Sequence, residues 1–161
     1  MLRKAKTLLV VTVALWGFVG AFKNFTDWGG TMAAVSAVTS MVTIEAGATS
    51  WQATSNPAVI WLGALFIALS KVAVGVLCTI AALKMWQARA SDAAAFAAAK
   101  QFALAGCATA VIMLFGGFIV IAESWFELWR SDVMRGPVLE SAFRYGGMIA
   151  LIGLFVATKD E

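Results

Sequence analysis

Four long apolar runs, parted by segments that hold most of the charge, leave this chain few ways to fold. They cover about residues 7–22, 57–85, 102–125 and 142–158. A helix needs ~20 apolar residues to cross hydrocarbon, and in lipid every backbone N–H and C=O must be satisfied within the segment. Of the 161 residues, 61% are hydrophobic and 13% charged, and mean hydropathy is +0.87. Soluble domains run nearer half apolar and about a quarter charged. The expectation is an all-α, membrane-embedded four-helix bundle forming a single transmembrane domain over 1–161.

The first run follows Arg3, Lys4 and Lys6. It also meets the pattern of a secretory signal peptide, with Val19-Gly20-Ala21 mimicking a cleavage site. Trp16 and Phe18 suit a membrane anchor, so a retained helix is the reading adopted. Lys23 to Asn56 is too polar to span. Within it Met32, Val35, Val38 and Met41 recur at helical spacing, which fits either a short interfacial helix or an ordered loop. Pro57 suits a first helical turn, where its missing N–H costs nothing. The alanine-rich stretch from Gln87 to Gln101 is expected to continue helically as a hairpin.

Lysine and arginine placement sets orientation. Arg3, Lys4, Lys6, Lys84, Arg89, Lys100 and Lys159 fall on one side, against Lys23, Arg130, Arg135 and Arg144 on the other. The richer side is cytoplasmic by the positive-inside rule, which puts both termini in the cytoplasm of a bacterial inner membrane. The net charge of +3 therefore reports topology and does not call for nucleic acid.

Chemistry-bearing residues are few. There is no histidine, which removes the usual ligand of haem b, of catalytic zinc and of proton relays. Cys78 and Cys107 lie inside apolar runs and read as small buried hydrophobes. No cofactor or metal is expected in the chain itself; a bound lipid is compatible with it. No soluble substrate is indicated.

Packing should rely on small residues, because lipid removes the hydrophobic drive between helices. Gly146, Ala150, Gly153 and Ala157 line one face of the fourth run. Ala103, Gly106, Ala110, Gly117 and Ser124 make a similar stripe on the third. These faces pack either within the bundle or onto a partner.

Lys71 is the anomaly, near the centre of the second run. An ammonium there costs roughly 2.5–3.5 kcal/mol on insertion scales. It shares a face with Ala64, Ala68, Gly75 and Cys78, so it should look at protein. An acidic partner is expected, either Glu123 of this chain or a carboxylate of another protein; a lipid headgroup or a neutral amine are the alternatives. Glu127 and Arg130 are spaced for a helix-face ion pair. With Asp27 these make the candidate charge-pair or partner-binding residues, and Trp125, Phe126 and Trp129 form an interfacial aromatic belt.

Asn24-Phe25-Thr26-Asp27, Met41-Val42-Thr43, Trp125-Phe126, Trp129-Arg130-Ser131 and Ala142-Phe143-Arg144 resemble motifs of a proteobacterial family of predicted small integral membrane proteins of unknown function. The resemblance runs the length of the chain and implies four spans in the inner membrane, with no activity attached. It also implies acidic residues near the position of Lys71 and at Ser124, where this chain departs from it.

The leading functional expectation is a non-catalytic accessory or assembly subunit of a larger inner-membrane complex, respiratory or photosynthetic for example. Its partners would be membrane lipids and other membrane subunits. A small transporter or channel using Lys71 is the alternative, though no internal repeat or broken helix pair accompanies it. An intramembrane enzyme would have only Lys71 and Glu123 as an acid–base pair.

Overall fold

The computed structural model describes residues 1–160. It is all-helical, with no strand among the described residues, and four helices are long and apolar enough to cross a membrane. The first, α1 (Leu2–Thr26), stops where Asp27 leaves helical geometry. The Asp27 carboxylate then accepts from the Gly30 N–H at 3.0 Å and so caps the next helix, α2 (Trp28–Thr39). The polar segment after the first span thus holds a real helix of 12 residues. Val35 lies against Gly63, and Trp28 packs on Trp61 with ring centroids 5.4 Å apart.

Beyond α2 the chain reverses through Met41 and Ala46, both with positive φ, and Thr54 N–H bonds Thr39 O at 2.8 Å to close the loop. Next comes α3 (Pro57–Gln87), started by the Asn56 side chain, which accepts from Ala58 N–H at 2.9 Å. At 31 residues it rises about 46 Å, well beyond the ~30 Å of hydrocarbon, so its end projects.

The hairpin that follows is not the continuous helix expected. The backbone turns extended at Ser91 and Asp92, and the Asp92 carboxylate accepts from Ala95 N–H at 2.8 Å. That cap starts a separate short helix, α4 (Ala93–Ala99), which drops Phe96 fully into the core. Capping wins over alanine's helix propensity because it satisfies a free N–H that a solvated turn exposes.

The third span begins as α5 (Gln101–Val111) and continues as a wide-wound segment, Ile112–Trp125, with i→i+5 bonding. Each wide turn takes up an extra residue. Faces read at ordinary helical spacing therefore drift along it. Ala103, Gly106 and Ala110 are buried, Gly117 is half-buried against Phe66, and Ser124 is exposed with its hydroxyl turned back to Ile119 O at 3.0 Å. The last span is α6 (Ser141–Ala157), entered through a second wide turn, Arg135–Glu140.

Neighbours in sequence are neighbours in space, an up-and-down bundle closed by α6 returning to α1. The tightest crossing joins α1 to α3. A Cβ added at Gly17 would lie 2.7 Å from Gly75 N and 2.8 Å from Lys71 O, so only glycine permits this approach. A Cβ at Gly106 would strike Cys78 Sγ, and one at Gly153 would come within 3.2 Å of Cys107 Cβ. Gly146 sits over Leu114, and Ala150 is half-buried. Ala157, expected on the same stripe, is exposed because it is the last residue of α6, where the chain turns away.

Candidate functional site

Lys71 does not meet a carboxylate within the described chain. Its Nζ donates to Asn24 Oδ1 of α1 at 2.6 Å. Asn24 Nδ2 donates in turn to Thr31 Oγ1 at 2.9 Å, whose hydroxyl returns to Asn24 O at 3.2 Å. The backbone of Lys71 is level with Gly17, its stem passes Gly20, and its tip reaches Asn24. Seven residues of α1 separate those levels, roughly 10 Å of rise. The ammonium itself lies 3.5 Å from where a Gly20 Cβ would stand, about one turn along α1 from Gly17 toward the helix end, because a lysine stem can carry its charge away from its own backbone level. Gly20 supplies the room for that stem. An amide acceptor also avoids desolvating a second charge, which a Glu123 partner would require. No hydrogen bond or ion pair links Lys71 to Glu123 among the described residues, and Glu123 is half-buried.

Around Lys71's end of the bundle, the segments between spans build a cap. Glu127 Oε2 and Arg130 Nη1 pair at 2.6 Å, and Arg130 also donates to Glu45 O at 3.4 Å. Ser131 Oγ donates to Thr43 Oγ1 at 2.9 Å, and Gln52 Nε2 donates to Glu127 Oε1 at 3.4 Å. Met41, Ile44 and Phe126 form a small buried core beneath. Phe126 is therefore not an interfacial anchor: at 6% exposure it holds the two segments together, while Trp125 (52%) and Trp129 (56%) stay outside. Met41, Ala46 and Glu127 all adopt left-handed φ, a conformation that non-glycine side chains hold only when the surroundings impose it. Three of the motifs that carried the family resemblance, those at Met41, Trp125 and Trp129, meet here; Asn24 to Asp27 lies at the joint between α1 and α2, and Ala142-Phe143-Arg144 lies in the first turn of α6.

Under the cap lies an apolar cavity of about 340 Å³, walled by Val35, Val38, Val59, Phe66, Phe118 and Val138 among others. Its chemistry offers nothing but dispersion contact with hydrocarbon. No group of three His, Cys, Asp or Glu residues able to hold a metal occurs among the described residues, and Cys78 and Cys107 are free and buried.

The opposite end holds a cluster that sequence reasoning missed. Lys6 Nζ, fully buried, donates to Asp160 Oδ1 and to Thr158 O, both at 2.8 Å. Lys100 Nζ donates to Asp160 Oδ2 at 2.6 Å and to Thr158 O at 2.8 Å. One carboxylate and one helix-end carbonyl thus tie the start of α1, the hairpin and the end of α6. Burial pushes the Asp160 carboxyl up, but hydrogen bonds and charge from Lys100 and Lys6 outweigh it and hold it below the usual range. Arg3 Nη1 adds a bond to Ser91 O at 2.5 Å, its guanidinium lying over Phe96. The only advance signal was the tally that placed Lys6, Lys100 and Lys159 on one side.

Residues 2–159 match a family model described as "Predicted small integral membrane protein (DUF2165)". No curated protein and no solved structure matches the chain.

Proposed function

The chain belongs to this family of predicted small integral membrane proteins, and from that premise we propose that it serves as a non-catalytic accessory or assembly subunit of a larger complex in the bacterial inner membrane. Both termini would then be cytoplasmic, since the basic side chains gather at the end where Lys6, Lys100 and Asp160 meet.

The observation that carries this reading is the cap. Two separate segments are bound into one ordered surface, on a backbone held left-handed at three non-glycine positions. That surface exposes Trp51, Trp125, Trp129 and Val133. Aromatic side chains on a rigid support are what protein interfaces favour, because little side-chain entropy is lost on docking. A pathway through Lys71 has less to rest on, with its stem filling the α1–α3 groove and its tip bound to Asn24.

A photocrosslinker installed in place of Trp129 tests the reading in native membranes. Adducts with one or two distinct integral membrane polypeptides are expected. The same probe at Leu151, on the lipid-facing side of α6, should give none of them. Identical adducts from both positions would defeat the assignment of the cap as the docking surface.

A further inference from the structure

Two recesses meet at the basic end. The polar one, about 380 Å³, is walled by Arg3, Lys4, Arg89 and Asp160 together with the first residues of α1. The apolar one, about 330 Å³, runs along the groove between α1 and α3, with Leu8, Val11, Leu15 and Phe18 on one wall and Leu83 and Trp86 on the other. Most of these walls are exposed on the outside of the bundle, where bilayer lipid would lie.

A wall residue of each recess touches the other. The Arg89 guanidinium stacks over the Trp86 ring, 4.5 Å from its centroid. On α1, Lys4, Leu8, Val11, Leu15 and Phe18 follow spacings of four, three, four and three, a single helical stripe with the cation at its head. From Thr7 to Phe18 the groove rises roughly 16 Å, close to half of the ~30 Å hydrocarbon thickness, which is one leaflet.

Among the described residues, charge at the head of the groove is unbalanced. Among them Asp160 is the one acid on its wall, and both its oxygens are already taken by Lys6 and Lys100. Asp92 in the nearby hairpin is occupied capping α4. Arg3 spends Nη1 on the Ser91 carbonyl of the hairpin and Arg89 spends its own on the Trp86 carbonyl in the last turn of α3, which fixes their planes and leaves other guanidinium N–H groups to donate. The positive-inside rule asks only that basic residues lie on this side. It does not ask three of them to converge at the top of a leaflet-long apolar groove.

We propose that the two recesses form one site for an anionic phospholipid of that leaflet, its phosphodiester held by Arg3, Lys4 and Arg89 and one acyl chain lying in the α1–α3 groove. Guanidinium groups suit the phosphate through paired N–H donors, and basic pockets at span ends attract anionic headgroups. The site stands apart from the cap and does not depend on the subunit reading.

The test uses the purified full-length chain in detergent, offered equal amounts of phosphatidylglycerol and phosphatidylcholine with the same acyl chains, with retained lipid counted by native mass spectrometry. Wild type should favour phosphatidylglycerol roughly tenfold or more. Lys4→Gln with Arg89→Gln, which spares the Arg3 bond to Ser91, should bring the two lipids to parity without changing thermal unfolding. If that double variant unfolds, Lys4→Glu alone serves, since Lys4 is exposed and its side chain makes no hydrogen bond among the described residues; it should cut the preference several-fold. Equal retention by wild type, or a preference indifferent to these substitutions, would overturn the proposal. So would displacement of the lipid by millimolar inorganic phosphate, which would mark a free-anion site.

Discussion

The two ends of the bundle settle their lysines in opposite ways. At the basic end Lys6 and Lys100 are buried and share a carboxylate, so charge is met with charge. At the capped end Lys71 meets a neutral amide, reached by running its stem past Gly20 to Asn24. The difference follows from depth and supply. The basic end brings three chain segments together and offers Asp160. The first and fourth spans offer Lys71 no acid at all, while α1 carries, two residues before its end, a side chain that can accept. Ion pairing costs desolvation of both partners, whereas an amide near the interface costs less and confers less.

That contrast ranks the effects of substitution. The largest belongs to Asp160→Ala, which strands two buried ammonium groups and releases the end of α6. A loss of about 3 kcal/mol is expected, the low end for a broken buried pair because water is near at the bilayer edge. Thermal unfolding in detergent, with proteolysis at the C-terminus, checks it. A loss near zero would erase the contrast.

Acidification sharpens it. The Asp160 carboxyl is held below its ordinary value, so its stabilisation is fully present above the unfolded pKa of about 3.9 and is lost as pH falls through the lower folded value. Wild type should therefore be more stable than Asp160→Asn above that window, and the gap between them should close as pH drops through it. Paired melts at stepped pH measure the gap directly.

Smaller is Asn24→Ala, which removes the acceptor of Lys71 and the donor to Thr31. About 1–2 kcal/mol is expected, most of it from leaving polar groups unpaired. Smallest is Lys71→Met, which keeps the stem's volume and removes a charge that has no counter-charge in the described chain. It should shift stability by less than about 1 kcal/mol in either direction. Were Lys71→Met as damaging as Asp160→Ala, Lys71 would have to be engaged more strongly than by Asn24 alone.

Much of this was legible in the residues. Length and hydropathy settle four spans and the all-helical class, and Pro57 after Asn56 marks where α3 begins. Glu127 and Arg130 do pair, but across a tight turn, Leu128–Arg130, that left-handed Glu127 starts, and not on an extension of the third span. The Asn24 acceptor of Lys71 was missed because only a carboxylate, a lipid headgroup or a neutral amine was considered, while a neutral amide on α1 marks itself by no charge in the sequence. The α1–α3 seam escaped notice because Gly17, Gly20 and Ala21 lie in a run that also fits a signal sequence. Ser91-Asp92 before an alanine run is a capping signal that alanine's propensity masked. The wide winding of Ile112–Trp125 has no local residue pattern to announce it, so stripes drawn there slipped. The Lys6–Lys100–Asp160 cluster joins positions far apart in sequence, and only the assembled topology brings them together.

The most direct test of the subunit role is to solubilise native membranes gently, resolve them on a native gel and identify every polypeptide in the band that holds this chain. Comigration with larger membrane subunits, lost when Trp125 and Trp129 are both changed to alanine, is the expected result. Migration alone, or only with further copies of itself, would contradict it.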